Sequence, residues 1–201
     1  VSAVVRQKQH VDGATVMKNS DAYTKELERL HSRKSFGTAS GVPGILQSFL
    51  DDRPDIKSIL DFGCGKGTPF ESLVSKDMKV YSYDPITNPI ELPKQVDLVY
   101  SRDVLEHIEP EQIDSVLKKL FTISNKYQHH LIACHPAKKG LSDGRNAHLI
   151  IEQPEWWKQK IQTIPGWKII YEHIKGPKRK YFKNDTVIDI VKYTVVLERI
   201  S

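Results

Sequence analysis

Two groups of residues in this 201-residue chain have types and spacing suited to chemistry. The first is acidic and imidazole-bearing. Asp103, Glu106 and His107 lie close together, and "HPAKKGLSDGRNAHL" adds His135, Asp143, Arg145, Asn146 and His148. Imidazole titrates near neutrality, so His148 or His107 suits a general base. On a helical turn, Asp103, Glu106 and His107 at i, i+3 and i+4 would share one face. Together with His148 they offer ligands for a divalent ion that orients a hydroxyl pair and lowers its pKa. In the plainest alternative, Glu106 caps the next helix and His107 packs against a loop. The second group is the glycine knot in "SILDFGCGKGTPFE", residues 58–71, directly behind an apolar run. It lacks the Gly-Lys-Ser/Thr of a P-loop, and Gly63-Cys64-Gly65-Lys66-Gly67 is one residue too tight for the dinucleotide fingerprint.

What fits is apolar-apolar-Asp-x-Gly-x-Gly-x-Gly, read from Ile59 to Gly67. This resembles motif I of the class I S-adenosylmethionine-dependent methyltransferases. The resemblance covers roughly residues 20–200 and implies S-adenosylmethionine as cofactor, with S-adenosylhomocysteine as product. It implies that Asp61, Gly63, Cys64, Gly65 and Gly67 form the cradle, the glycines letting backbone approach the ligand without a Cβ clash. Asp61 would meet the cationic amino-acid portion. Asp84, 17 positions past Gly67, would accept the ribose hydroxyls. In "VDLVYSRDVLEHIEPEQIDSVLKKL", the match places Ser101, Arg102, Asp103 and Leu105 along the methionine side and methyl face. "DGRNAHLIIEQPEWWKQKI" further resembles a small bacterial and phage branch of the family. By analogy the N-terminal helix with Tyr23 and His31, and the Gly37–Gly44 loop, form a lid over the cofactor. The Asp103-x-x-Glu106-His107 spacing also resembles a metal site of small-RNA 2′-O-methyltransferases, but "LEHI" is common in family members without a metal. No metal is therefore favoured. If one binds, its ligands are Asp103, Glu106, His107 and His148. The tentative catalytic set is His148, His107, Glu106, Arg145 and Asn146.

One departure stands out. Only "PITNPIELPKQV" separates Asp84 from Asp97, with three prolines and no room for the usual helix–strand–helix unit. That unit is expected to be abbreviated, with adenine resting on Pro85 and Ile86 and Asn88 reading its edge.

The surrounding elements alternate. Helices are expected over "SDAYTKELERLHSRKSFG", capped by Ser20 or Asp21, and over "GVPGILQSFLDDRPD". Then come strand "KSILDFG", helix "TPFESLVSKD", strands "KVYSYD" and "VDLVYS", helix "EPEQIDSVLKKLFTIS" and strand "HHLIACHP". Helix "PEWWKQKIQTI" and strands "WKIIYEHI" and "TVIDIVKYTVVLERI" finish the chain. Strand–helix alternation implies an α/β, mostly parallel Rossmann-like sheet. The last two strands are joined only by the basic segment "HIKGPKRKYFKND", read as a solvated loop, so they should form an antiparallel edge hairpin. His129 and His130, at a strand start, are read as structural. At least one of Trp156 and Trp157 should anchor the core, the other being available to wall a pocket or stack on a base. Residues 1–50 are expected to form an extension with lid helices and 51–201 the methyltransferase domain.

Composition narrows the partners. With 39% hydrophobic and 27% charged residues the chain is ordinary for a globular protein. "VSAVVRQKQHVDG" has no signal-peptide core, and two cysteines make no disulfide framework, so a reducing cytoplasm is expected. No Asn/Asp-Pro-Pro-Tyr/Phe signature and no Pro-Cys nucleophile is present, which argues against DNA base methylation. The expected acceptor is an O or N atom of a small molecule. RNA is the alternative, held through Lys175, Lys178, Arg179, Lys180 and Lys183, as the net charge of +5 allows. A non-catalytic cofactor-binding protein is a third class. A monomer or weak dimer is expected.

Overall fold

The computed structural model describes residues 19–34, 36–38, 44–67, 70, 78–181 and 187–200. The helix expected over 68–77, Lys183 and the first 18 residues lie outside the described residues, apart from Phe70. The elements run α1 (Asp21–His31), α2 (Gly44–Asp51), β1 (Ser58–Phe62), β2 (Lys79–Tyr83) and β3 (Val96–Arg102). After a 3-10 turn (Leu105–His107) come α3 (Ile113–Ile123), β4 (Ser124–Ala133), α4 (Pro154–Gln162), β5 (Trp167–Tyr181) and β6 (Val187–Arg199). The strands order as β2-β1-β3-β4-β6-β5. The sheet is mostly parallel with antiparallel C-terminal strands, as the alternation predicts. No described helix is long and apolar enough to cross a membrane.

Two compact units divide the chain, one of Val1–Tyr100 with Thr122–Lys126, the other of Ser101–Phe121 with Tyr127–Ser201. In the first, Ser20 caps α1 by accepting from the Tyr23 N–H at 3.2 Å. Tyr23, Leu27 and Leu30 bury one face of that helix, as their spacing requires. Residues 59–62 of β1 are all buried, and β1 pairs in parallel with β2 from Ser58↔Lys79 to Phe62↔Tyr83. Between β2 and β3 there is neither helix nor strand, only an isolated bridge between Asp84 and Asn88. The abbreviated unit is thus a feature of the fold.

In the second unit α3 buries Ile113, Val116, Leu117 and Leu120. Trp157 of α4 is fully buried, while Trp156 is half-buried with Lys160 Nζ 4.9 Å above its ring. Two expectations need correction. β4 begins at Ser124, so His129 and His130 lie in the strand interior rather than at its start, both fully buried. Burial holds them neutral, pushing His129 down to about 4 and His130 to about 3. The basic segment is not a loop through its whole length. β5 continues to Tyr181 and pairs with β6 as far as Tyr181↔Val187. A bulge between Lys175 and Lys178 makes this continuation fit. Gly176 there has φ +106, and a Cβ would meet the Ile190 carbonyl oxygen at 2.2 Å.

Candidate active site

The first unit builds a cradle at the C-terminal ends of β1 and β2, the end at which α/β sheets bind ligands. The Gly63 and Cys64 N–H groups both donate to the Tyr83 carbonyl, at 2.7 and 3.0 Å, which folds the glycine knot back over β2. Gly65 has φ +60, and a Cβ on it would lie 2.3 Å from the Gly37 carbonyl oxygen. That carbonyl accepts from the Lys66 N–H at 2.7 Å, and Lys66 Nζ donates to the Arg33 carbonyl at 2.6 Å. Arg33 and Gly37, after α1, therefore sit directly on the glycine turn.

Asp84 organises the opposite wall. Its Oδ1 accepts from the N–H groups of Ile86 and Thr87 at 2.9 and 2.8 Å, and Oδ2 from the Gly65 N–H at 3.2 Å. Thr87 Oγ1 donates to the Gly65 carbonyl, and Asn88 Nδ2 to the Ser82 carbonyl. Pro85 and Ile86 are half-buried. Asp61 is 3% exposed, and its Oδ2 has no hydrogen-bond partner among the described residues. Burial, then the neighbouring Asp84 charge, pushes its carboxyl up to about 8. Burial followed by Asp61 and Asp84 also pushes the Cys64 thiol well above its ordinary value, so it is no nucleophile near neutrality. Two neighbouring carboxyls, one with an oxygen that has no hydrogen-bond partner among the described residues, make a place for a cation.

The second unit gathers the acid and imidazole groups. Ser101, at the end of β3, meets His130 Nδ1 through Oγ at 2.8 Å. Arg102 Nε lies 3.9 Å from an Asp103 carboxylate oxygen. The common helical face expected for Asp103, Glu106 and His107 does not form. Asp103 has φ +51 and Val104 φ −131, and helical geometry starts only at Leu105. Asp103 is instead held by its N–H to the Leu131 carbonyl, 2.8 Å, and by Lys192 Nζ on both carboxylate oxygens, 2.7 and 2.9 Å. Leu105 is fully buried beneath the turn.

Glu106, His107 and His148 do come together, one ligand atom from each lying within 4.8 Å of the others; Asp103 is outside this group. Glu106 is fully buried. Its Oε1 accepts from the Ala133 N–H at 3.2 Å, and its Oε2 has no hydrogen-bond partner among the described residues. Burial, then Asp103, pushes its carboxyl up to about 8. His107 Nδ1 donates to the Ala147 carbonyl and His148 Nδ1 to the His135 carbonyl, both at 2.6 Å. In each neutral ring this leaves the lone pair on Nε2. Burial lowers the His148 pKa, so its imidazole stays neutral at physiological pH.

Asn146 fixes the loop that carries His148. Its Oδ1 accepts from the Ala137 and His148 N–H groups at 2.8 and 2.9 Å, and Nδ2 donates to the Ala137 carbonyl at 3.0 Å. Arg145 is exposed and paired with Asp143 at 2.7 Å. Lys192 and Thr87 were missed as site residues because neither stands in a motif. Only the register of β6 and the turn after Asp84 bring them in.

A methyltransferase-domain family model matches residues 35–186. No curated protein is significantly similar to the chain. Among solved structures, 1,6-didemethyltoxoflavin-N1-methyltransferase of Burkholderia thailandensis is 10% identical with a TM-score of 0.58, covering 89% of this chain and 87% of that one. It was crystallised with 1,6-didemethyltoxoflavin and S-adenosylhomocysteine. Magnesium protoporphyrin IX methyltransferase of Synechocystis PCC 6803, crystallised with S-adenosylmethionine, is 14% identical with a TM-score of 0.56, covering 90% and 100%. The small RNA methyltransferase HEN1 is 12% identical with a TM-score of 0.52, covering 82% of this chain and 26% of that one. At these identities the likeness is one of fold.

Proposed function

The chain belongs to the methyltransferase-domain family, and from that premise we propose that it is an S-adenosylmethionine-dependent enzyme that methylates an oxygen or nitrogen atom. The observation that carries this is the cradle: the buried Asp61 carboxyl, whose Oδ2 has no hydrogen-bond partner among the described residues, behind a glycine turn too tight for any side chain at position 65. The cofactor carries a sulfonium and an ammonium, and such a cation favours the ionised form of a buried carboxyl, drawing the Asp61 pKa back down on binding. When bound, it supplies an activated methyl group. Asp61 and the backbone of Gly63–Gly65 hold the amino-acid part. Asp84 keeps the turn in shape and offers its oxygens to the ribose. His148 and His107, each with Nδ1 fixed by a carbonyl, present Nε2 as the proton acceptor for the attacking group. Asn146 positions His148. In a melting experiment S-adenosylmethionine raises Tm of the wild type, and Asp84→Ala abolishes the shift. No shift at millimolar cofactor would sink the proposal.

A second reading is favoured by one observation, the convergence of Glu106, His107 and His148. The donors fit a divalent ion: an orphaned buried carboxylate oxygen and two imidazoles whose Nδ1–H groups are anchored to carbonyls, the usual outer support of a ligating histidine. An ion there would act as a Lewis acid on an acceptor hydroxyl. Loading with Co²⁺ should give visible d–d absorption that His148→Ala removes. A colourless cobalt-treated protein would refute this reading while leaving the cofactor proposal intact.

A further inference from the structure

The continuation of β5 and β6 beyond the sheet is a structured basic ribbon. β4 pairs with β6 only from Glu198 back to Lys192, whereas β5 pairs with β6 down to Val187. Four rungs lie past the sheet: Lys178↔Ile190, Arg179↔Asp189, Lys180↔Ile188 and Tyr181↔Val187. Residues 171–181 are all exposed. Directly opposed residues point to one face, so Lys178 and Lys180 occupy one side and Arg179 and Tyr181 the other. With Lys175 this places four cations on the described ribbon. Asp189 is the acidic residue among its rungs, and its 3.2 Å pair with Arg179 is exposed at both ends, the kind that exchanges readily for another anion. The ribbon carries Tyr181 and Val187, with Tyr171 and Ile174 on the adjoining part of β5, together most of the large apolar side chains exposed among the described residues; Tyr181 is 71% exposed.

The geometry points to this ribbon as a docking surface for a single-stranded polynucleotide. The ribbon holds its register with Ile188 buried and Ile190 half-buried, and the like charge along its exposed strand suits an anionic partner. A second copy of the chain is opposed by Lys168, Lys175, Lys178 and Lys180 along β5, since lysines on an edge strand repel edge-to-edge pairing. Cations interleaved with an exposed tyrosine match a ligand that offers phosphates and unstacked bases together. The inference goes beyond the methyl-transfer proposal and holds whether or not the bound strand is also the acceptor.

The test is fluorescence anisotropy without cofactor. The probes are labelled oligouridine, oligothymidine and a duplex, each on the order of 20 nucleotides to cover one site. Four phosphate contacts predict that single-strand affinity falls about fiftyfold between about 50 and 200 mM salt. In the Lys178→Ala/Arg179→Ala/Lys180→Ala variant the fall shrinks to about threefold. Tyr181→Ala weakens single-strand binding about tenfold and leaves the salt slope unchanged. The two oligonucleotides tell RNA from DNA, and tighter binding of either than of duplex supports the proposal. It is overturned by no binding at low salt, by a slope unaltered in the triple variant, or by equal affinity for duplex. Tighter binding to phosphatidylserine vesicles than to either oligonucleotide also overturns it. Unchanged melting temperatures of both variants establish that the losses are local.

Discussion

At the scale of single residues, the groups that matter are those left without partners. Asp61 and Glu106 are buried carboxyls, each with one oxygen lacking a hydrogen-bond partner among the described residues. Such groups are costly and persist where a ligand completes them. Asp61 sets a pH prediction. An acid whose folded pKa lies above its unfolded value keeps a proton that the unfolded chain has released, so stability falls as pH rises between the two values. For Asp61 that window runs from 3.8 to about 8. Asp61→Asn should therefore raise Tm of the cofactor-free protein at pH 8 relative to wild type, have little effect near pH 4, and abolish the S-adenosylmethionine shift. A variant equally destabilised at both pH values would disprove a raised carboxyl. Lys192→Met removes the cation that bonds both Asp103 oxygens and leaves only the longer Arg102 contact at 3.9 Å. Methyl transfer should drop on the order of tenfold or more, and unchanged transfer would show that the Asp103–Lys192 pair is dispensable.

At the scale of elements, short loops set the geometry of both sites. The segment 137–148 is tied by three hydrogen bonds from one amide, Asn146. At about 1 kcal/mol each, Asn146→Ala should cost about 2–3 kcal/mol, a fall in Tm of several degrees. It should also lower kcat with KM for the cofactor unchanged, since His148 loses its position while the cradle is untouched. A matched fall in cofactor affinity would contradict that assignment. Gly65→Ala tests the other loop. Its Cβ would enter the Gly37 carbonyl and its φ of +60 is unfavourable for alanine. The Gly37 carbonyl should then detach, read as faster hydrogen exchange at the Lys66 amide, and S-adenosylmethionine should no longer raise Tm.

At the scale of the whole molecule, the exposed edges decide association. The sheet ends in β2 and β5, and exposed lysines stand on both, Lys79 on one and Lys168, Lys175, Lys178 and Lys180 on the other. Edge lysines oppose continuation of a sheet into a second copy. Sedimentation should accordingly give the mass of one chain at micromolar concentration, and a stable dimer there would show that another face drives association.

Much of the fold was legible in sequence because it rests on local rules. Strand–helix alternation dictates a mostly parallel sheet, the missing crossover before β6 dictates antiparallel edges, and twelve proline-rich residues after Asp84 leave no room for another unit. Glycines 63 and 65 likewise announce left-handed turns, since few other residues tolerate them. Spacing misled at Asp103, where a periodic pattern suggested one helical face and a residue with φ +51 breaks it before the turn. The extent of β5 was also hidden, because Lys-Gly-Pro-Lys reads as a loop and only pairing across a bulge with β6 makes it strand. What tertiary structure alone decided is which distant groups meet. Lys192 reaches Asp103 across 89 positions, and the Ala147 and His135 carbonyls select the tautomers of His107 and His148. Local sequence sets backbone conformation through each residue's own sterics. Side-chain encounters between remote segments depend on strand register and burial, which no single stretch of the chain contains.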